Sequence, residues 1–458
     1  MKRRMLKAAA AVTASLLMML PAAATLSSSP LTASALTAEQ AERLGEELTD
    51  GTFTYEMVNG SYTITKCNQT AVVSKVPEIR NGYAITAIAD NAFLGCEKIT
   101  SLSLPESVKT IGTKAFAGCT SLSKVHLPSK LTEIPEACFM TCIALEDINI
   151  PEGVTMIGDN AFYGCKALKK LVFPESLELI GDMALADCAS ISEFDTEKSS
   201  RYLFRDGILY SRDLSTIYRG STELSGDLYI DDAVTKIANG AFSMCLSLEN
   251  VFLPSTVHEL GDDSFGYCGR LRSIHFAEGL TSIGYVAFQN CTSLSSVDFP
   301  TTLTSIDAGA FYNCTALERV ILPENLSQIG EGAFLNCNTL KNVILPTGLS
   351  SIGDHAFGFK EDDQGNAVVN KELSLSVSSG TEGADYARRS GVNYTYSDKN
   401  IKKVFFIVAA IALLAAAGVF AGVLMARGRK SASSAVKKAD KDEDGSDEDE
   451  NYTKIIGS

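Results

Sequence analysis

The sequence is poor in the groups that carry out chemistry. It holds four histidines in 458 residues, His126, His258, His275 and His355. None stands at metal-ligand spacing from another histidine or a cysteine. There is no Gly-rich phosphate loop, no nucleophile elbow and no HExxH motif. Positive charge is short as well: 40 Lys and Arg against 55 Asp and Glu give a net charge of −15. A chain of that sign has no basic stripe to neutralise phosphates, which excludes nucleic acid as a partner. The acidic run Asp440, Asp442, Asp444, Gly445 and Glu448 falls short of a calcium loop. Asn451 stands where the bidentate Glu belongs, Asp447 where an apolar residue belongs, and no amphipathic helices flank it. The expectation is a protein that is not an enzyme and uses no cofactor and no metal.

What the chain has instead is a cysteine that returns every 23 residues. It stands at Cys96, Cys119, Cys142, Cys165 and Cys188, then in the same phase at Cys245, Cys268, Cys291, Cys314 and Cys337. A fixed period of this length marks a solenoid, in which each repeat is one coil that contacts its neighbours. In the repeat that starts at Cys314, the apolar places are Leu317, Val320, Leu322, Leu326, Ile329, Ala333 and Phe334. Val320 and Leu322 alternate as a strand does, and Pro323 ends that strand. Ile-Gly in the second half (Ile111-Gly112, Ile157-Gly158, Ile283-Gly284) reads as a turn in which glycine supplies a positive φ. The Ala-Phe that follows fits a short helical turn.

One coil cannot bury these side chains alone, so the coils must stack, about 4.8 Å apart. In register, the cysteine Cβ vectors run parallel at that spacing, beyond the usual disulfide range. The cysteines are therefore expected as a buried, reduced, structural column. Cys67 and Cys138 lie outside it.

The ends of the chain carry addresses. Lys2, Arg3, Arg4 and Lys7 precede an apolar stretch, with small residues at Ala22–Ala24 and Ala33–Ala35, so residues 1–35 read as a signal peptide. Val404 to Met425 is an uncharged run long enough to cross a bilayer core of about 30 Å. It is followed by Arg427, Arg429 and Lys430, which suit a cytoplasmic flank. Gly418 and Gly422 have the spacing that pairs membrane helices weakly into a homodimer. The expected division is a signal at 1–35, a capping helix at 36–50, the repeat array at 51–369, a C-terminal cap at 370–398, a transmembrane helix at 404–425 and a basic-then-acidic tail at 426–458. An extra coil and an insertion fall within 189–240, where Phe204 to Tyr210 reads as a turn between two extended pieces. The localisation that follows is a single-pass type I membrane protein, with its array outside and its tail in the cytoplasm.

The pattern L-x-x-V-x-L-P…L-x-x-I-G-x-x-A-F-x-x-C, the Asp206-Gly207-Ile208-Leu209-Tyr210 insert and the Ala384-Asp385-Tyr386-Ala387 element resemble BspA-like leucine-rich repeat proteins of bacterial surfaces. The resemblance implies an α+β repeat solenoid, a leucine-rich-repeat horseshoe of about 12–13 coils. It also implies surface display with adhesion in some members, but no ligand and no functional residues to carry over. Binding residues are sought where side chains leave the core, on the outward strand positions. His126, Val172, Tyr229, Phe252, His275, Asp298, Arg319, Ile321 and Ile344 are the candidates, because apolar groups recurring on an outer face often mark partner sites. The expected function is recognition of an extracellular protein or glycan. The alternatives are a structural role as a cell-envelope scaffold and, more remotely, signalling through the tail.

Overall fold

The computed structural model describes residues 49–397. The chain divides into two units, Met1–Asp50 and Gly51–Ser458, and the second is the subject here. The expected signal peptide, nearly all of the capping helix, the segment Val404–Met425 and the tail lie outside the described residues. Among the described residues no helix is long and apolar enough to cross a membrane.

The array is a β-solenoid whose coils have three sides. The first side carries the longer strands, which pair in parallel across coils: Ser101–Ser103 with Lys124–His126, and Ser225–Tyr229 with Ser247–Phe252 and then Ser273–His275. Their central residues, Leu102, Val125, Leu228, Val251 and Ile274, are buried, while the residues on either side of each face outward. The second side is a ladder of two-residue strands. It runs without a break from Lys236–Ile237 through Glu259–Leu260, Ser282–Ile283, Ser305–Ile306 and Gln328–Ile329 to Ser351–Ile352.

The third side differs from the sequence expectation. The Ala-Phe segment is not helical; it is a run of turns. Within a coil, Ala117 N donates to Lys114 O at 3.1 Å and Cys119 N to Phe116 O at 3.2 Å. Lys114 and Gly118 take left-handed φ values of 58° and 71°. Two left-handed residues in one turn cannot continue a right-handed helix. The turns also bond across coils, as where Phe288 N donates to Ala310 O and Phe311 N to Ala333 O, both at 2.7 Å. The α+β expectation is corrected accordingly. The described residues are nearly all β and turn, and Glu382–Ser390 is the only helix among them. That helix is capped by Thr381 at its start and by left-handed Gly391 at its end, and the strand Asn393–Tyr396 follows it.

The glycine of Ile-Gly also has a different reason from the one expected. Gly112, Gly158 and Gly284 do not take positive φ. They are needed because the neighbouring coil comes too close for a side chain. A Cβ added at Gly112 would lie 2.3 Å from Asp90 N, one at Gly158 2.7 Å from Glu136 N, and one at Gly330 2.2 Å from Ala308 N.

Stacking in register puts like on like. Phe265, Phe288, Phe311 and Phe334 form a column with ring centroids 5.4, 5.0 and 5.0 Å apart. Each is almost fully buried, which is worth about 1.5–3 kcal/mol per ring.

The insertion divides the interior. Tyr202–Arg205 and Ile208–Ser211 form an antiparallel hairpin through Asp206-Gly207, both at positive φ. The second strand pairs with Thr216–Gly220, which joins the short-strand ladder. Side chains alternate along Ile208–Ser211. Leu209 therefore enters the core of the preceding coils, while Ile208 and Tyr210 enter the core of the following ones. Arg219, fully buried, ties the two sides together. Its guanidinium donates to Gly240 O at 2.9 Å, Ser243 O at 2.6 Å and, across the insertion, Cys188 O at 3.3 Å.

Gly330→Ala should lower stability by about 1–3 kcal/mol, since the backbone facing it cannot move aside as a side chain can. Chemical denaturation measures this; a loss under about 0.5 kcal/mol would mean that the coils are not packed this closely.

Candidate functional site

The outward residues of the long strands are set by register, since each strand pairs with the next at a fixed offset of one coil. This brings Tyr229, Phe252 and His275 into one column. Their rings stack face to face: Tyr229 on Phe252 with centroids 4.4 Å apart and planes 5° apart, and Phe252 on His275 at 4.5 Å and 10°. Phe252 is thus covered by a ring on each face, and Tyr229 and His275 each have one face covered. Tyr229 is 37% exposed, and Phe252 and His275 are half-buried.

Two residues earlier on each strand, a second column runs parallel to the rings and is hydrogen-bonded throughout. Asn250 Nδ2 donates to Asp227 Oδ1 at 2.7 Å, and the Ser273 hydroxyl donates to Asn250 Oδ1 at 2.6 Å. With its proton used, Ser273 Oγ accepts from His275 Nε2, 3.2 Å away. The imidazole is therefore held as the Nε2–H tautomer at the end of a directed chain that stops at the Asp227 carboxylate. Burial pushes the His275 pKa below its usual value, against the opposing pull of Asp298 and Asp227. It stays neutral at physiological pH, which suits a ring stacked on Phe252.

The remaining candidates spread along the array. On the coils after His275, Asp298 pairs with Arg319 at 3.1 Å and lies beside Ile321 across the strand pair. Ile321 and Ile344 are half-buried at matching places on successive coils. His126 and Val172 belong to separate strand groups before the insertion. His126 lies 3.8 Å from Glu106, and exposed Val172 faces Asp195 across its strand pair. On that side of the insertion the surface is charged and largely self-paired, as between Lys170 and Glu193 at 2.5 Å. The structure thus gathers Tyr229, Phe252 and His275 into one column and leaves His126 and Val172 outside it. The polar chain was missed in the sequence reading; its only trace there is that Asp227, Asn250 and Ser273 share one phase.

All twelve cysteines are buried and free. In the column, the thiols from Cys119 to Cys188 and from Cys268 to Cys337 donate to the phenylalanine carbonyl of the preceding coil: Cys142 to Phe116 O at 3.1 Å, and Cys165 to Phe139 O and Cys314 to Phe288 O at 3.2 Å. Cys245 follows the insertion and has lost that partner; it reaches Ser221 O at 3.5 Å instead. Burial drives the pKa upward to about 12 at Cys188 and about 11 at Cys245, where Arg219 pulls the other way. A thiol in that state is neither a nucleophile nor a metal ligand. Among the described residues no group of three or more His, Cys, Asp or Glu side chains converges to hold a metal.

Stacked parallel strands, an Ile-Gly ladder and a thiol column define a leucine-rich-repeat solenoid. The profile of the BspA type leucine rich repeat region matches residues 86–211 and 235–361 in six copies, and the chain belongs to this family. Among solved structures, a leucine-rich repeat protein from Eubacterium ventriosum is 22% identical with a TM-score of 0.52. The likeness covers 68% of this chain and 93% of that one. The pneumococcal vaccine antigen PcpA is 19% identical with a TM-score of 0.51, over 75% of this chain and 96% of that one. A leucine-rich cell surface protein from Faecalibacterium prausnitzii is 25% identical with a TM-score of 0.49, covering 67% and 93%. A comparison with curated proteins finds no match.

Because the thiols are buried, an alkylating reagent at neutral pH should leave the native protein unlabelled. After denaturation without reductant it should label all twelve cysteines. Mass spectrometry reads both; recovery of fewer than about eight would mean that disulfides had formed in place of the column.

Proposed function

We propose that this is a surface-displayed recognition protein whose outward long-strand face, centred on Tyr229, Phe252 and His275, docks an extracellular protein. The observation that carries this reading is the aromatic stack. Core packing requires nothing of these positions, yet three successive coils place rings there and align them to within 10°. An apolar strip beside a hydrogen-bonding column has the composition of an interface centre, where aromatic side chains anchor and polar neighbours fix register. Ile321 and Ile344 extend the apolar surface along the array. The central ring, Phe252, is covered on both faces and presents its edge, which suits the packed side chains of a protein better than the flat face of a sugar.

Display follows from the sequence features at the two ends. Residues 1–35 export the chain, 36–50 and 370–398 cap the array 51–369, and 404–425 anchors it in the membrane, with residues 426–458 inside. This is the division expected from composition, and it gives the outward face access to extracellular partners. No charged cluster that would recruit a polyanion lies on the stack.

The test is binding of the full-length chain to a panel of immobilised extracellular-matrix proteins, beside a Phe252→Ser, Ile321→Ser double variant whose thermal unfolding is unchanged. A partner held through this face should be lost by about ten-fold or more in the variant. Undiminished binding would move the site to another face, and no binding to any panel member would favour the scaffold role.

A further inference from the structure

The aromatic column ends at His275, and the next coil follows the ring with a carboxylate. Asp298 stands 23 residues on, in the same outward phase. Its Oδ2 accepts from Arg319 Nη2 at 3.1 Å, while its Oδ1 is buried and accepts no hydrogen bond among the described residues. A sealed acceptor without a donor is costly, so this oxygen stands ready for one. No strand ladder fixes the step between the two residues. Ser225–Tyr229, Ser247–Phe252 and Ser273–His275 form one sheet, and Ser296–Asp298 with Arg319–Ile321 forms another. The coils are joined instead on the short-strand side, through Ser282–Ile283 and Ser305–Ile306. His275 has the complementary capacity. Its Nε2–H is taken by Ser273 Oγ, which leaves the Nδ1 lone pair to receive a proton. Few charged groups surround the ring. Asp298 and Asp227 lie on opposite sides of it along the array, and both favour its charged form against the burial that opposes it. Arg319 lies beyond Asp298. Arg272, just before the strand, faces Glu249 at 3.5 Å, and Glu278, after it, accepts from the Thr301 hydroxyl at 2.9 Å.

From this geometry we infer that His275 is a proton switch on the recognition face: a proton taken up at Nδ1 is donated to Asp298 Oδ1, and Asp298 is then shared between His275 and Arg319. The inference rests on the reading of the aromatic strip as a docking face and adds its regulation. The proton comes from water, and no other covalent bond changes. While His275 is neutral, the strip is uncharged up to the Asp298–Arg319 pair, whose charges cancel. Once it is protonated, the ring stays against Phe252, because a cation is attracted to the ring face that it already covers at 4.5 Å. One carboxylate now serves two cations, so a positive charge is left unbalanced at the end of the strip, beside Ile321. Burying that charge under an apolar partner is costly, and acid should therefore release the partner. Burial holds the His275 pKa below the usual imidazole value, which places the change in mildly acidic medium rather than at neutral pH.

The test is an NMR titration of the full-length chain in a zwitterionic detergent, with label at histidine Cε1 and at the arginine side-chain nitrogens, between about pH 8 and pH 5. The chain has four histidines, so the signal lost in His275→Gln identifies the ring, and the one lost in Arg319→Lys identifies the guanidinium. His275 should titrate below about pH 6.5, and the Arg319 signal should move with the same midpoint. In His275→Gln that movement of Arg319 should vanish. Asp298→Asn should lower the proton affinity of His275 by about three-fold or more. An Arg319 signal that ignores the His275 titration would overturn the inference, and this comparison in the unaltered chain stands even if a substitution disturbs the fold. So would a His275 midpoint unmoved in a folded Asp298→Asn chain. Neither measurement needs a partner, so failure of the switch and failure of the docking reading give different results. For a matrix protein that the chain binds, Kd should be about ten-fold weaker near pH 5.5 than near pH 7.5, and His275→Gln should lose that ratio whatever its affinity at the higher pH. Equal binding by the unaltered chain at both pH values would also overturn it.

Discussion

Everything in this molecule depends on the contact between one coil and the next. A single repeat has too few apolar groups to enclose, so its core is closed only by the coils above and below. The spacing of that contact is the spacing of backbone hydrogen bonds on all three sides, and it leaves little room for choice. Where the backbones approach most closely, at the Ile-Gly ladder, a Cβ would sit as near as 2.2–2.8 Å to the neighbouring coil. Where side chains must stack on copies of themselves, the residue has to tolerate a like neighbour. Phenylalanine does so by parallel offset, and cysteine does so by sending its weak donor to the carbonyl of the preceding coil. A larger or charged residue at the cysteine position would meet its own copy.

The insertion shows what happens when the translation is interrupted. The phenylalanine column stops at Leu185 and resumes at Phe242, and Cys245 has lost the carbonyl that its equivalents use. The hairpin repairs the gap by giving alternate side chains to the two cores. Arg219 supplies a donor to Ser243 O, whose equivalent one coil later, Gly266 O, accepts from Met244 N of the preceding coil. Its charge has carboxylates nearby rather than in direct contact: Asp187 and Asp263, whose own pKa values are raised chiefly by burial. The same interruption separates two surfaces of different character. Before it, the long-strand face is charged and paired within itself; after it, the face carries rings and aliphatic side chains.

Much of this was legible in the sequence, because translation by 23 residues is itself the fold. The core positions, the strand that ends at proline, the hairpin at Asp206-Gly207, the capping element around Tyr386 and the outward phase of Tyr229 and Phe252 all follow from period and alternation. Two local readings failed for a shared reason. The glycine after isoleucine was assigned to a positive φ, and Ala-Phe to a helical turn, because both were judged within one repeat. The glycine answers to the coil beside it. The left-handed conformations fall on residues such as Lys114, Asn160, Val286 and Asn313, whose types do not announce them uniformly. The chain His275–Ser273–Asn250–Asp227 was out of reach for the same reason. It is made of ordinary polar residues whose role appears only when successive coils are laid on one another.

If coil-on-coil contact is the controlling interaction, no coil is stable alone, and cooperativity should follow the two cores rather than single repeats. Native-state hydrogen exchange on the full-length chain measures this most directly, followed at the turn amides of Phe116, Phe139 and Phe162 and of Phe265, Phe288 and Phe311. Each of these donates to a carbonyl of the next coil. The account predicts one shared opening free energy within each set of three, with any step between sets falling at residues 196–220. Amides that exchanged with a separate free energy in every coil would contradict it.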